Sequence, residues 1–382
     1  MKKSVPIMIL ICLVFSIHCN RDNRDKSKDI DEIVLNPKDE VVNIEFTKEK
    51  RTLVTGIRYT RFFVYNEDVN DRMYIYVHGY DAEEEKKLVA KKYDSHLNFI
   101  SEKAFPFGQG PGDVGEGTTF CQAGDHIYGP DNVTRRVNIF DKNLNFIKFV
   151  KILDPVISTI FTEGGDSFFA FHKKSVPEGF TYNFIHSTFP TLKKKVVNCS
   201  GTLWLWDKRK KMIIGLQPEL SFFIKKERVY FLNASDYRLI MFDLNGNKLK
   251  QVRLNINKPI VPKEKKKEWL FEQLGKFGVD KCILVDKVQP ASWAVPLEKG
   301  FAVIRRKDYS TNCQGMAEAD YFDYQLNHIG KINIPCFYSI FGLRHSRMPQ
   351  TYHYQDGYLY LIYEDEETEE FYLEKWKVEE KL

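Results

Sequence analysis

Tyr93-Asp94-Ser95-His96-Leu97-Asn98-Phe99 and Phe140-Asp141-Lys142-Asn143-Leu144-Asn145-Phe146 are two copies of one phrase: an aromatic residue and an Asp, then a short polar turn. Phe242-Asp243 before Asn245-Gly246-Asn247 and Phe322-Asp323 before Leu326-Asn327 repeat it, with weaker echoes at Phe189-Pro190 and Trp376-Lys377. The six anchors at 93, 140, 189, 242, 322 and 376 are spaced by 47, 49, 53, 80 and 54 residues. Between them run short alternating segments rich in aromatic and β-branched residues, such as Met73-Tyr74-Ile75-Tyr76-Val77 and Tyr358-Leu359-Tyr360-Leu361-Ile362. Such segments, broken by Asp, Asn and Gly, read as antiparallel strands. A period near 50 in an all-β chain is the signature of propeller blades. The expected fold is therefore all-β, a six-bladed β-propeller over residues 41–382.

A finer grammar runs inside the repeat. Tyr128, Asp131, Arg136 and Phe140 recur at the same offsets as Tyr230, Asn233, Arg238 and Phe242. The Asp or Asn belongs in a turn between the middle strands, accepting backbone N–H groups, and the Arg reaches back to it. The pair is thus expected to be structural rather than catalytic. The long fourth interval predicts a helical insertion over about 262–278, between blades four and five. There Pro262 precedes Glu264, Trp269, Leu270, Phe271, Leu274 and Phe277 at roughly helical spacing. The chain ends six residues after Trp376, which leaves the last blade short of an outer strand. Val41 to Phe46, just ahead of the first blade, is expected to fill that place and close the ring.

The N-terminus reads as an export signal, residues 1–19. Lys2 and Lys3 precede the apolar run Val5 to Ile17, which is too short for the roughly 20 residues of a membrane-spanning helix. Cys19 follows directly, and this arrangement resembles a bacterial lipoprotein signal, although His18 and Ser16 depart from the usual residues. The resemblance implies lipidation of Cys19; the alternative is an ordinary cleaved signal with an incidental Cys, and a secreted protein. Residues 20–40 are polar and are expected to be a flexible tether.

Composition excludes a nucleic-acid groove. Without residues 1–18 the chain has 55 basic and 52 acidic side chains, net +3. The basic runs Lys193-Lys194-Lys195 and Lys263 to Lys267 lack interleaved aromatics. Of the remaining cysteines, Cys121, Cys199, Cys282, Cys313 and Cys336, a Cys313–Cys336 disulfide within one blade is compatible with export, and so is burial of all five as small hydrophobes.

Gly108-Gln109-Gly110-Pro111-Gly112-Asp113 invites a phosphate-loop reading, but no Lys-Ser/Thr follows and Pro111 removes a donor. The stretch, with the aromatic-Asp blades around it, resembles bacterial six-bladed β-propeller lipoproteins of the NHL-like and TolB-like kind, where a Gly-Pro-Gly linker joins the first two blades. Here the third repeat departs from that pattern, with Phe189-Pro190 in place of aromatic-Asp. The resemblance implies fold and export and little chemistry. No motif marks a catalytic, cofactor or metal site. Some six-bladed propellers are metal-dependent lactonases, and Asp131, Asp236 and Asp320 are the carboxylates to weigh for such a cation; no spacing marks them as ligands. The expected role is a lipid-anchored ligand- or protein-binding module of the cell envelope, at the outer membrane, its partner an envelope protein, peptide or glycan. The alternative is a metal-dependent hydrolase or lactonase working in the channel.

Overall fold

The computed structural model describes residues 31–382 apart from intervening stretches, the longest being 269–281 and 340–351. Over 152–220 it describes only strand backbone. The signal segment, Cys19 and most of the tether lie outside the described residues. The chain opens with β1 (Ile33–Leu35) and β2 (Ile44–Val54), and the rest is a series of sheets. The first consists of β3 (Ile57–Glu67), β4 (Arg72–Asp81), β5 (Lys87–Asp94) and β6 (Phe99–Pro106). The second comprises β7 (Cys121–Ala123), β8 (His126–Asp131), β9 (Arg136–Phe140) and β10 (Phe146–Lys151). In the third are β11 (Ile157–Phe161), β12 (Ser167–Val176), β13 (Gly179–Thr188) and β14 (Lys195–Val197).

A short three-stranded sheet interrupts the series. Its strands are β15 (Trp204–Trp206), β16 (Met212–Ile214) and β21 (Cys282–Leu284), the last pairing in parallel with β16. The fourth blade is β17 (Leu220–Lys225), β18 (Arg228–Asn233), β19 (Arg238–Asp243) and β20 (Lys248–Leu254), with β1 added in parallel to β20. Blade five comprises β22 (Ala291–Pro296), β23 (Gly300–Arg305), β24 (Asn312–Asp323) and β25 (His328–Ser339). These five sheets of consecutive strands define a β-propeller arrangement. The closing sheet is β26 (Tyr352–Gln355), β27 (Tyr358–Glu364) and β28 (Phe371–Glu380), completed by β2.

An N-terminal strand completes the last sheet as expected, but over Ile44–Val54 rather than 41–46, and Val41 and Val42 contact Lys331 of blade five instead. Ile44 through Val54 pairs antiparallel with Glu380 through Phe371. Before β2, residues 32–42, most of them within the stretch read as tether, run along two neighbouring sheets. Glu32 bridges Arg238 at 2.8 Å and Arg253 at 3.0 Å. The Lys38 amide donates to Nδ1 of His328, and the amides of Val42 and Lys331 donate to the carbonyls of Lys331 and Glu40.

The repeated phrase is a hairpin turn between the third and fourth strands. Asp94 Oδ1 accepts from the amides of His96 and Asn98, and its Oδ2 accepts from the Asn98 side chain. Asp141 with Asn143 and Asn145, and Asp323 with Gln325 and Asn327, do the same; Asp243 caps Asn247 likewise. Capping lets Leu97, Leu144 and Leu326 take left-handed φ of about 60° and bury their side chains, with the Asp side chain replacing a backbone acceptor. The anchors Tyr93, Phe140, Phe242 and Phe322 are buried.

These turns also tie neighbouring blades together. Tyr76, Tyr230 and Tyr360, each in a second strand, donate a hydroxyl to the carbonyl just after the turn Asp of the next blade: Lys142, Tyr324 and Ser95. Outer-strand lysines reach the turn Asn of the next blade, Lys50 to Asn98 at 2.7 Å, Lys103 to Asn145 at 2.8 Å and Lys250 to Asn327 at 3.3 Å. The core is a set of clusters between adjacent sheets. In two of them an inner-strand Phe stacks on a second-strand Tyr, Phe63 on Tyr76 and Phe223 on Tyr230. Flat rings fill the space between two sheet faces with offset contact.

Two expectations meet the described residues only in part. The helix after Pro262 is described over 263–268, and its continuation to 278 lies outside the described residues. The same long interval also carries β21, which returns to an earlier part of the chain. Cys336 is buried between blade five and the closing sheet, as the small-hydrophobe reading expects of it, and the side chain of Cys313 lies outside the described residues.

Candidate functional site

Antiparallel order places the Asp-capped turns on one face of the propeller. On the other lie the hairpins between second and third strands, together with the linkers from one sheet to the next. This linker face carries the loop between β4 and β5, the Gly-Pro-Gly linker and the Asp131–Arg136 turn. The linker itself is a structural clasp. Arg136 donates to the carbonyls of Gln109 (2.9 Å), Gly110 (3.1 Å) and Asp113 (2.8 Å), and Asn138 also donates to Asp113. The Gly110 amide is bonded to the Asp113 carboxylate and the Gly108 amide to the Val114 carbonyl. Gly112 has φ +84°, and a Cβ on Gly110 would come within 2.8 Å of the Asp113 carboxylate. A phosphate cradle needs free amides, and these two are already used.

Asp131, buried, accepts from the amide and hydroxyl of Thr134 and faces Arg136 across the hairpin, so this pair is structural as read from sequence. Arg238, its counterpart, turns instead to Glu32 and Asp236. The three carboxylates weighed for a cation are not brought together. Asp131 lies in blade two and Asp236 in blade four, paired with Arg238 at 2.8 Å; Asp320, in blade five, is held by Arg305, His328 and Tyr237.

The residues that stand out on the linker face were not singled out by sequence reasoning. Arg61 on β3 and His78 on β4 face each other across the first blade. The rung above them, toward the linker face, is Arg58 and Tyr80. His78 is 3% exposed and neither ring nitrogen has a hydrogen-bond partner. Burial, and then the Arg61 charge, lower its pKa to about 3, so the ring is neutral at pH 7. Burial lowers the pKa of Arg61 as well, and among the described residues no carboxylate acts on it. Phe63 and Phe120 wall the imidazole, with ring centroids at 6.1 and 5.2 Å, and Tyr80 meets Phe107 edge-on at 5.8 Å. Beside them an open cleft of about 570 Å³ is lined by Arg58, Ala82, Glu83, Glu84 and Lys86. Its hairpin wall is shaped by Asp81, which accepts from the amides of Glu83 and Glu84.

A buried polar atom left without a partner costs about 1–3 kcal/mol, and a buried unpaired charge costs more. A buried imidazole with two unpartnered nitrogens facing a half-buried arginine is a poor arrangement for stability alone, and buried polar groups of this kind concentrate where ligands bind. The sequence offered no clear signal, since β3 also carries Arg58, Thr60, Asn66 and Glu67 and β4 also carries Arg72 and Asp81.

The fold and this face define the class, a β-propeller with a polar recess between its first two blades. No protein-family model matches the chain, and no curated protein matches it. Among solved structures it is similar to a member of the DUF4221 family from Bacteroides vulgatus, at 11% identity and a TM-score of 0.50, covering 88% of this chain and 99% of that one. A protein of Bacteroides fragilis described as exported is similar at 11% identity and a TM-score of 0.49, covering 92% and 100%.

Proposed function

We propose that the chain is an exported, lipid-anchored, six-bladed β-propeller that acts as a binding module of the bacterial cell envelope and takes its ligand on the linker face. The observation that carries the binding role is the buried His78 ring, whose two nitrogens lack partners, facing Arg61 across the first blade near an open cleft lined by Arg58, Glu83, Glu84 and Lys86. The six-bladed reading adds the closing sheet to the five sheets of consecutive strands and takes the three-stranded sheet as an insertion; the sheet orders support it. Export and anchoring rest on the Lys2-Lys3 n-region, the thirteen-residue apolar run and Cys19. With residues 32–42 docked on the domain, the tether proper shortens to about residues 20–31.

Two experiments test this reading. Cys19→Ser is expected to move the protein from the membrane to the soluble fraction; unchanged membrane association rejects the anchor. A photo-crosslinking amino acid at Glu83, on the linker face, is expected to trap an envelope component in cells. The same probe at exposed His96, on the turn face, is expected to trap none. Equal yields from the two positions, or none from Glu83, reject ligand binding at this face.

A further inference from the structure

We propose that Arg61 and His78 recognise a carboxylate group on the ligand, a deepening that rests on the binding-module reading above. The guanidinium is the one side chain of this recess that stays charged, because burial keeps His78 neutral. Arg presents a planar fork that matches a carboxylate with two parallel N–H···O bonds. A neutral imidazole adds one N–H donor and one acceptor, which suits a carboxylate oxygen and an adjacent hydroxyl or amide. Phe63 and Phe120 supply apolar walls, and in such surroundings a charge-assisted bond is stronger than in water.

A carboxylate is the anion whose two oxygens match the Arg fork in one plane, and inorganic phosphate is the rival that the test below must separate from it.

The test uses thermal unfolding of the mature chain, residues 19–382, in detergent, with sodium benzoate as probe. Benzyl alcohol, sodium chloride and inorganic phosphate at matched ionic strength are the controls. Benzoate is expected to raise the melting temperature in a saturable way and the controls are not. Arg61→Met, which removes the half-buried guanidinium at similar volume, is expected to melt no lower than the wild type without benzoate and to lose the benzoate response. Lys103→Met, on the turn face, is expected to keep it. A phosphate response equal to that of benzoate overturns the assignment. So does an unchanged benzoate response in Arg61→Met, or a fall in its melting temperature of the kind a broken ion pair produces. Saturation-transfer NMR of benzoate on the wild type needs no variant: competition by acetate but not by phosphate is expected, and competition by phosphate overturns the assignment. A trapped partner at Glu83 with no benzoate response leaves the binding module standing and removes the carboxylate; no trapped partner removes the binding reading itself.

Discussion

A chain lacking residues 20–54 will show no cooperative unfolding transition, while one lacking only residues 20–31 will melt within a degree or two of the full chain. The contrast follows from β2. It supplies the outer strand of the closing sheet along ten pairs with β28, and without it the edge of β28 is left open beside the first blade. The loss is not confined to the backbone. Glu374 is fully buried, and its carboxylate is shared by Lys48 at 2.7 Å, the Tyr363 hydroxyl and the Trp376 indole. Removing Lys48 leaves a buried carboxylate without its cation, a change worth about 3–5 kcal/mol by itself. Arg51, stacked 3.5 Å over Tyr372, and Lys50, bonded to the turn of the first blade, are lost with it.

Deleting residues 20–42 is the intermediate case. It removes β1 and the Glu32, Lys38 and Asp39 contacts, several of them solvent-exposed ion pairs worth at most about 1 kcal/mol each, and will lower the melting temperature without abolishing the transition. Adding a synthetic peptide of residues 44–54 to the largest truncation is expected to restore a transition, as strand addition to an open edge does. Equal melting of the 20–31 and 20–54 truncations, by differential scanning calorimetry, would show that the ring does not depend on this strand.

What could be read from sequence divides by distance along the chain. The Asp-capped turns were legible because donor and acceptor lie within four residues, and the capping chemistry repeats at Asp94, Asp141, Asp243 and Asp323. The Asp131–Arg136 pair was legible for the same reason. The ties between blades were not: Tyr76, Tyr230 and Tyr360 act on carbonyls 66, 94 and 265 residues away. Nothing local distinguishes such a tyrosine from any other strand aromatic. The three-stranded sheet was hidden because its strands are three residues long and β21 joins β16 across the whole fourth blade. The Arg61–His78 recess needed the register of β3 on β4, which shifts between Arg58 and Arg61. Alternation alone misplaces side chains beyond such a shift.

Asp320 shows how the same carboxylate looks from the sequence and in the fold, and it carries the second large expected effect. By sequence it was one of three candidates for a cation site. In the fold it lies between blades four and five, with no exposed surface, accepting from Tyr237, from two nitrogens of Arg305 and from His328 Nε2 at 2.7 Å. The Lys38 amide donates to Nδ1 of His328 at 3.1 Å, which fixes the tautomer with its proton on Nε2, pointing at Asp320. Burial works to raise the Asp320 pKa, but the bonds from His328, Arg305 and Tyr237 outweigh it and hold the carboxyl below the usual range. Burial and the Asp320 charge push the Tyr237 phenol well up, so it stays a donor.

Asp320→Ala therefore strands a histidine and a tyrosine and leaves Arg305 only its longer contact to Glu318 at 3.5 Å. It is expected to cost about 3–5 kcal/mol at neutral pH, a fall in melting temperature of roughly 10 °C. Asp320→Asn, which keeps the volume and one acceptor, is expected to lose less. Because the folded-state pKa lies below the unfolded value near 3.9, the stabilisation is complete above that value and disappears as pH falls through the folded pKa. The gap between wild type and Asp320→Asn must accordingly be widest at pH 6–8 and close in stronger acid. Adding Arg305→Met to Asp320→Ala is expected to recover part of the loss, since it removes the charge left with that one contact, and the non-additivity measures the coupling. If Asp320→Ala melts with the wild type, or the gap to Asp320→Asn is independent of pH, Asp320 is not the ionic centre of blade five, bonded to blade four through the Tyr237 hydroxyl, that the geometry describes.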